Sequence, residues 1–375
     1  MSGARTGRVL ITGGGTGGHV YPGLAVAEAL RALDPALEIR FVGTRRGLER
    51  VLVPAAGWPF DAVPASGFRG LGPLGRLVFL LNLAAGTLLS LGLLLRRRPD
   101  MVLGTGGYVC VPVMLAARLL GVSCALQEQN AIPGSANRLV GRWARRVYLG
   151  FAEAARWFPA GRPVATGNPV RAAFARATGA PAPRGDGGFR LLIFGGSRGA
   201  HTLNLAAAAA AAGFGARREL ELLVQTGTAD LEATRVAFAG ADPRRFRVVP
   251  YIEDMAGALA WADLVVGRAG AMTLAELQAA GKAAVLVPFP FATDDHQSRN
   301  AEACAAAGAA VVLADAACDG PALLKLVDEL RADPARRAGM ARAAGALARP
   351  GAAATIAADL LNLMGHPAGA PAHAG

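Results

Sequence analysis

The chain has 375 residues, enough for two domains of ordinary size. Hydrophobic residues make up 53% and charged residues 18%, and the mean hydropathy is +0.35. These values exclude a disordered or collagen-like chain despite 49 Gly and 23 Pro. Lys and Arg number 39 against 27 Asp and Glu, and the net charge of +12 favours an anionic surface or substrate. The arginines are not interleaved with stacking aromatic residues, so no nucleic-acid partner is predicted.

The predicted elements are short apolar runs that alternate with helical patterns, which is typical of βαβ units and parallel sheets. In the first half of the chain the predicted strands are Arg8–Ile11, Ile39–Val42, Met101–Leu103, Ser123–Leu126 and Val147–Leu149. In the second half they are Arg190–Phe194, Leu220–Val224, Arg247–Val249, Leu264–Val266 and Ala283–Val287. The N-terminus leads directly into a strand without an apolar signal core, so we do not expect export.

A stretch rich in Pro, Gly and Ala at residues 167–188 interrupts this alternation. We place the domain boundary at its start, which predicts a first domain over 1–168 and a second over 169–350. A final helical stretch at 351–364 is expected to pack back on the first domain.

One segment raises the question of a membrane. The nineteen residues of Leu77–Leu95 carry no charge and are followed by Arg96, Arg97 and Arg98, which meets the length criterion for a spanning helix. Three interpretations remain open: a buried core helix, a helix that docks on a bilayer surface, and a true span. We favour docking, with Arg69, Arg76 and the three following arginines facing lipid phosphates.

Two glycine-rich loops repeat at a constant offset of 182 residues, in Ile11–His19 and Ile193–His201. Each follows a strand and opens a helix, which predicts an α/β protein with two Rossmann-like domains whose parallel sheets face across a cleft. The first loop has the pattern G-x-G-x-x-G, suited to a diphosphate or sugar, because backbone N–H groups can approach an anion there. A nicotinamide cofactor is the rival ligand, but the second strand runs into Thr44-Arg45-Arg46 where a ribose-binding acid is expected.

Three further segments of the second half suggest a ligand site. Ser197 in the second glycine loop offers a hydroxyl donor. Glu276 lies near the start of a predicted helix, where a carboxylate can cap the helix or accept both hydroxyls of a ribose. A polar loop follows the strand at 283–287, and its Gln297 and Asn300 can hydrogen-bond to sugar hydroxyls. His296 in the same loop is either a structural or a catalytic residue.

With these segments in order, the chain resembles the MurG family of peptidoglycan glycosyltransferases. The resemblance runs from Gly13 to about Ala301, and the motifs that carry it are GGTGGHVYPGLAVAEAL, GTGGYVCVP, QEQNAIPGSANR, GNPVR, FGGSRGA, YIEDM, GRAGAMTLAEL and HQSRNA. It implies a GT-B fold, a metal-independent inverting mechanism without a cofactor, and attachment to the cytoplasmic face of the inner membrane. It also implies transfer of N-acetylglucosamine from UDP-N-acetylglucosamine to the 4-hydroxyl of N-acetylmuramic acid in lipid I, undecaprenyl-diphospho-N-acetylmuramoyl-pentapeptide, which forms lipid II.

The resemblance also implies roles for individual residues. Thr16, Gly17 and Gly18 would contact the sugar nucleotide or the acceptor diphosphate, and Asn130 the donor sugar. Arg171 and Ser197 would serve the donor phosphates, Ile252 the uracil and Gln297 the N-acetylglucosamine hydroxyls. The motif that binds the diphosphate and ribose would supply Arg268, Ala271, Met272, Thr273, Leu274, Ala275 and Glu276. At His296 the chain departs from the family, whose members often carry Gln there.

The reaction itself needs a charge to be neutralised and a proton to be removed. Many glycosyltransferases neutralise the leaving UDP with a metal held by D-x-D, and no D-x-D occurs in this sequence, so helix N-termini, Ser197 and arginines would replace the cation. His19 is the leading candidate for the base. Glu128 is the alternative base, and Tyr108 is a further candidate for the acceptor site. A diacylglycerol glycosyltransferase and an NADP-binding oxidoreductase remain the alternative functions.

Overall fold

The computed structural model describes residues 6–67, 72–176, 188–196, 199–292 and 295–366. The chain divides into two compact units. Unit 1 comprises Met1–Arg171 and Pro350–Gly375, and unit 2 comprises Ala172–Arg349. Half of the Pro-, Gly- and Ala-rich stretch, residues 177–187, lies outside the described residues.

The described part of unit 1 contains a parallel sheet of seven strands in the order β3-β2-β1-β4-β5-β6-β7. The strands are β1 Arg8–Gly13, β2 Glu38–Gly43, β3 Phe60–Ala62, β4 Met101–Gly106, β5 Ser123–Glu128, β6 Arg146–Leu149 and β7 Pro163–Ala165. The helices that connect them are α1 Gly17–Leu33, α2 Glu49–Ala55, α3 Pro73–Arg97, α4 Cys110–Leu119 and α5 Ser135–Val140, with a 3-10 turn at Ala152–Trp157.

The described part of unit 2 repeats this architecture with a six-stranded parallel sheet in the order β10-β9-β8-β11-β12-β13. Its strands are β8 Phe189–Phe194, β9 Leu220–Gln225, β10 Phe246–Val249, β11 Leu264–Gly267, β12 Ala284–Leu286 and β13 Ala310–Val312. Its helices are α6 Ala172–Arg176, α7 His201–Ala209, α8 Ala211–Gly215, α9 Leu231–Ala237, α10 Met255–Trp261, α11 Ala271–Ala279, α12 His296–Ala306, α13 Gly320–Ala332 and α14 Pro334–Leu347. A 3-10 turn covers Asp315–Ala317.

Each unit therefore contains the Rossmann strand order 3-2-1-4-5-6, and the prediction of two parallel-sheet α/β domains is confirmed. The strand order reverses direction between β1 and β4 in unit 1, and between β8 and β11 in unit 2. Ligands of open α/β sheets bind outside the carboxyl ends of the strands at such a point. Both glycine loops follow the first strand of their unit, so the fold puts them there.

Successive side chains of a buried strand in unit 1 point alternately into two apolar layers, one on each face of the sheet. Val9 and Ile11 of β1 belong to the layer that contains α1, whereas Leu10 belongs to the layer that contains α4. Parallel sheets covered on both faces produce the near-continuous apolar runs from which the strands were predicted.

The chain ends with α15, Ala352–Leu363, which packs on α1 in unit 1. Its Ile356, Leu360 and Leu361 are buried in the same apolar layer as β1. The hydroxyl of Tyr148 on β6 donates a hydrogen bond to Asp359 Oδ2 at 2.8 Å, so a partly buried polar contact also connects the helix to the sheet.

The uncharged run at Leu77–Leu95 lies within α3, which is long and apolar enough to cross a membrane by length and composition alone. Its small and polar residues form the buried stripe: Gly86, Thr87 and Ser90 are buried together with two leucines. At Gly86 a Cβ atom would lie 2.3 Å from the carbonyl oxygen of Pro64, so this face packs closely on the rest of unit 1. The opposite face exposes its large apolar side chains, Leu74, Leu77, Val78, Leu80, Leu81, Leu88, Leu89 and Leu95.

Candidate functional site

The first glycine loop is held against the segment that follows β4. The backbone N–H of Gly14 donates to the carbonyl of Gly106 at 3.2 Å, and the hydroxyl of Thr105 donates to the carbonyl of His19 at 2.7 Å. Gly15 has φ +88°, a conformation that favours glycine. The loops from two strands thus meet at the switch point of unit 1.

The imidazole of His19 lies between these two loops. Its Nδ1 is 3.1 Å from the carbonyl oxygen of Gly14 and 3.4 Å from the hydroxyl of Thr16. A carbonyl can only accept, so Nδ1 carries the proton and Nε2 is the basic nitrogen. At Gly106 a Cβ atom would lie 2.6 Å from Cδ2 and 3.1 Å from Nε2 of the ring, so a glycine is required there. Burial lowers the pKa of His19, while the Gly14 carbonyl and the charge of Glu49 oppose that shift.

Glu128, at the end of β5, is buried and fully hydrogen-bonded. One carboxylate oxygen accepts from the backbone N–H and the side-chain amide of Asn130, at 2.8 and 3.1 Å. The other accepts from the amide of Asn137 at 2.8 Å. Burial raises the pKa of Glu128, and these amide donors oppose the shift. The amide nitrogen of Asn137 also lies 3.2 Å from the position of a Cβ at Gly106, so the carboxylate belongs to the same cluster as His19.

The other predicted residues of unit 1 lie around this cluster or at its edge. A Cβ at Gly15 would lie 3.3 Å from the ring of Tyr108, so Tyr108 covers the glycine loop. Thr16 is exposed and precedes α1, whose first residues are Gly17 and Gly18. The guanidinium of Arg171 lies 5.1 Å from the centre of the Tyr21 ring.

Two groups of buried polar residues in unit 1 were missed by the sequence analysis. Glu49, in the first turn of α2, accepts from the N–H of Gly15 at 2.9 Å. Gln127 donates from its side-chain amide to Asn168 Oδ1 at 3.0 Å, and Asn168 donates to the carbonyl of Gln129 at 3.0 Å. The sequence signals were weak, because a Glu in a first helical turn and amides at a strand end are common.

The second glycine loop follows β8. Ser197, predicted to serve the donor phosphates, lies outside the described residues. Gly196 and Gly199 have φ +86° and +78°, and a Cβ at Gly199 would lie 1.9 Å from the carbonyl oxygen of Thr226. The loop therefore passes directly against the end of β9 before α7 begins.

Gln225, a further residue that the sequence analysis missed, connects this loop to the predicted uracil site. Its side-chain amide donates to the carbonyl of Gly196 at 2.7 Å, and its amide oxygen accepts from the N–H of Ile252 at 3.2 Å. The N–H of Ile252 is used within the protein, and its carbonyl takes no part in that contact.

The motif of Arg268 and α11 lies at the carboxyl end of β11. Arg268 is 8% exposed, donates to the carbonyls of Val287 and Pro288 at 3.1 and 3.2 Å, and pairs with Asp315. The guanidinium thus holds the end of β12 in place. The residues predicted to bind diphosphate and ribose, Ala271, Met272, Thr273, Leu274, Ala275 and Glu276, form the first two turns of α11.

The loop after β12 brings the predicted sugar-binding residue to the same edge of the sheet. Gln297, in the first turn of α12, accepts from the N–H of Phe289 at 3.0 Å through its amide oxygen. Its NH2 group is not engaged by that contact and keeps its two N–H donors. Asn300 is buried and donates to the carbonyl of Ala269 at 3.2 Å, so it connects α12 to the segment before α11. His296 begins α12.

Neither unit groups three or more His, Cys, Asp or Glu side chains as a metal ion would require, within the ranges that the structure describes. The roles assigned to individual residues stay predictions.

Comparison with known proteins shows the family. The N-terminal domain of glycosyltransferase family 28 matches residues 9–149, and its C-terminal domain matches residues 190–356. A UDP-N-acetylglucosamine--N-acetylmuramyl-(pentapeptide) pyrophosphoryl-undecaprenol N-acetylglucosamine transferase of Desulforudis audaxviator is 44% identical, over 96% of this chain and 99% of the relative. A protein of the same name from Anaeromyxobacter sp. (strain K) is 43% identical, over 97% of this chain and 95% of the relative.

A solved structure agrees with these relatives. The crystal structure of Acinetobacter baumannii MurG is similar with a TM-score of 0.70 and 34% identity, over 95% of this chain and 99% of that one. The resemblance found in the motifs is thereby confirmed, and the chain belongs to glycosyltransferase family 28 and, within it, to the MurG family.

Proposed function

We propose that this protein transfers N-acetylglucosamine from UDP-N-acetylglucosamine to the 4-hydroxyl of N-acetylmuramic acid in lipid I, which forms lipid II for peptidoglycan. The observation that carries the proposal is the 44% identity, over nearly the full length of both chains, to a relative named for this transfer. The donor and the acceptor are both anionic diphosphates, in keeping with the net charge of +12.

In the proposed reaction the acceptor oxygen attacks C1 of the donor sugar from the face opposite UDP. The bond between C1 and the diphosphate oxygen breaks, the bond from C1 to the acceptor oxygen forms, and configuration inverts. The acceptor hydroxyl loses its proton to Nε2 of His19. His19 is favoured over Glu128 because both oxygens of Glu128 are already bonded to amide donors.

We assign the donor to unit 2. The start of α11 offers backbone N–H groups and partial positive charge to the diphosphate as it leaves. Glu276, 9% exposed, is the proposed acceptor for the ribose hydroxyls, and Gln297 the proposed donor to the sugar.

We also propose that the protein lies on the cytoplasmic face of the inner membrane as a peripheral protein. The exposed apolar face of α3 supports this, since soluble monomers rarely expose apolar patches of such extent. Arg76, Arg96 and Arg98 at the two ends of the helix are exposed and suit lipid phosphates, whereas Arg97 pairs with Asp61 at 3.7 Å. Arg69, also predicted to face lipid, lies outside the described residues.

The test is an acceptor competition with one labelled donor. Purified protein with labelled UDP-N-acetylglucosamine should label lipid I and leave diacylglycerol unlabelled. Labelling of diacylglycerol instead would make the protein a glycolipid transferase. A matched thermal-shift measurement should show stabilisation by UDP and none by NADP.

A further inference from the structure

The buried carboxylate of Glu49 has no place in the reaction proposed so far. Only 1% of the residue is exposed, and its carboxylate accepts three hydrogen bonds. They come from the N–H of Gly15 at 2.9 Å, the N–H of Thr44 at 2.9 Å and the hydroxyl of Thr44 at 2.7 Å. All three donors are neutral, so burial of this carboxylate is costly and calls for a reason.

Three glycines make room for the carboxylate. A Cβ at Gly14 would lie 2.4 Å from Cδ of Glu49, one at Gly43 would lie 2.3 Å from Cγ, and one at Gly47 would lie 2.1 Å from Oε2. No side chain fits at these distances. The absence of a side chain at Gly14, in the middle of the first glycine loop, is therefore explained by a protein side chain.

Glycine loops of this type direct backbone N–H groups at an anion. Here the anion is Glu49, and the N–H of Gly15 is already occupied. Gly14 then links the two titratable groups: the position of its Cβ lies against the carboxylate, while its carbonyl accepts from Nδ1 of His19. Displacement of the carboxylate would release the peptide that fixes the tautomer of the imidazole.

We propose that Glu49 is a positioning residue for His19: its carboxylate takes the anion position of the first glycine loop, holds Gly14 and Gly15, and stabilises the imidazolium that forms when the acceptor hydroxyl loses its proton. The inference rests on the assignment of His19 as base in the proposed function. The proton moves from the acceptor to Nε2, and Glu49 gains none.

The titratable groups around His19 come from three segments: Glu49 from α2, Glu128 from the end of β5, and Tyr108 and Cys110 from the segment after β4. Burial raises the pKa of the Cys110 thiol to about 12, so it is neutral. Burial lowers the pKa of His19, and the charge of Glu49 opposes that shift. Loss of this charge should therefore lower the pKa of His19 further.

The test compares Glu49→Gln with Thr44→Val in the full chain. The first variant removes the charge with little change in shape, and the second removes one hydrogen bond to the carboxylate and keeps the charge. Two readouts are followed against pH: the imidazole NMR signals of the ligand-free protein, with His19 assigned from a His19→Gln spectrum, and kcat/KM for transfer to lipid I.

For E49Q we expect the His19 midpoint and the acidic limb of kcat/KM to fall together by about 0.5 to 1 pH unit. The value of kcat should fall about two- to tenfold, because a base weakened by that amount accepts the proton less readily. T44V should move neither midpoint by more than about 0.2 unit. The KM for UDP-N-acetylglucosamine should stay unchanged in both variants.

An unchanged His19 midpoint in E49Q overturns the proposal and leaves the base assignment intact. A shifted NMR midpoint with an unmoved kinetic limb shows instead that His19 is not the base, so the role of Glu49 in transfer fails with it. If E49Q does not fold, the test is made on the unmodified protein, because an interaction between the charges of Glu49 and His19 affects both groups. The ¹³Cδ signal of Glu49 must then move with the midpoint of His19, and a signal that does not move overturns the proposal.

Discussion

His19 is the residue whose replacement tests the proposed chemistry most directly. We expect His19→Ala to lower kcat by about 10²-fold or more, because general-base catalysis contributes about that much. His366→Ala, which changes a half-buried histidine near the C-terminus, is the matched control and should leave kcat unchanged. Near-normal turnover in H19A would exclude the role and leave Glu128 as the candidate base.

The same residue predicts the pH dependence of the enzyme. A base works when deprotonated, so kcat/KM is full above its pKa and falls as the pH drops through that value. Burial lowers the pKa of His19 below its ordinary value of about 6.5. The acidic limb of kcat/KM should therefore lie below pH 6.5, and a limb well above that pH in a buffer series would contradict the assignment.

Glu276 provides the corresponding test of the donor site. Glu276→Ala should raise the KM for UDP-N-acetylglucosamine about 10- to 100-fold, because it removes a charged acceptor of ribose hydroxyl hydrogen bonds. The value of kcat should change little. Glu302→Ala, on the exposed face of α12, is the control in the same unit. An unchanged KM in E276A would exclude the ribose-binding role of Glu276.

At the scale of elements, α3 makes the proposal of membrane docking testable. Leu77→Asp, Leu81→Asp and Leu88→Asp combined should abolish sedimentation with anionic vesicles, because these side chains are 53%, 61% and 68% exposed and share one face. The protein should keep its fold, since none of the three is buried.

The control for α3 places Asp at two exposed apolar positions of unit 2, Leu205 and Val236. That variant should sediment like the unmodified protein. If the unmodified protein stays in the supernatant, the docking proposal fails. If neither variant sediments with the vesicles, the net charge of the protein accounts for its attraction to the vesicles, and the apolar face of α3 is not responsible.

A comparison of the predicted and observed strands shows which strands cannot be predicted from apolar runs. The ten predicted strands are all present, but β3, β7 and β13 were missed. Each has three residues and lies at an edge of its sheet. Such a strand is covered by fewer neighbours and is too short for an apolar run to identify it. In α3 the small and polar residues Gly86, Thr87 and Ser90 lie on the face that packs on the protein.

At the scale of the whole molecule, the last helix returns to the first unit. Leu360→Ala should lower the free energy of unfolding of unit 1 by about 2 to 5 kcal/mol, because Leu360 is fully buried in the layer behind β1. Asn362→Ala, exposed on the same helix, should change it by less than about 0.5 kcal/mol. The measurement is denaturant unfolding. If Leu360→Ala changes the free energy of unfolding as little as Asn362→Ala does, α15 adds little to the stability of unit 1.

The repeated glycine loops and the ordered motifs determined the fold class and the family from the sequence alone. This was possible because βαβ units impose a local pattern of apolar runs and loop residues. The same pattern located His19, Glu276 and Gln297 at the carboxyl ends of strands.

Tertiary structure alone decided which buried polar groups support those residues. Glu49 meets Gly15 across 34 positions, and Gln225 meets Ile252 across 27. A carboxylate or an amide has no periodicity that marks its partner, and its role depends on which N–H or carbonyl the packed sheet brings within 3 Å. The pattern of apolar residues is local and can be recognised in the sequence, whereas the hydrogen-bond partner of a buried polar atom is determined only when distant segments fold together.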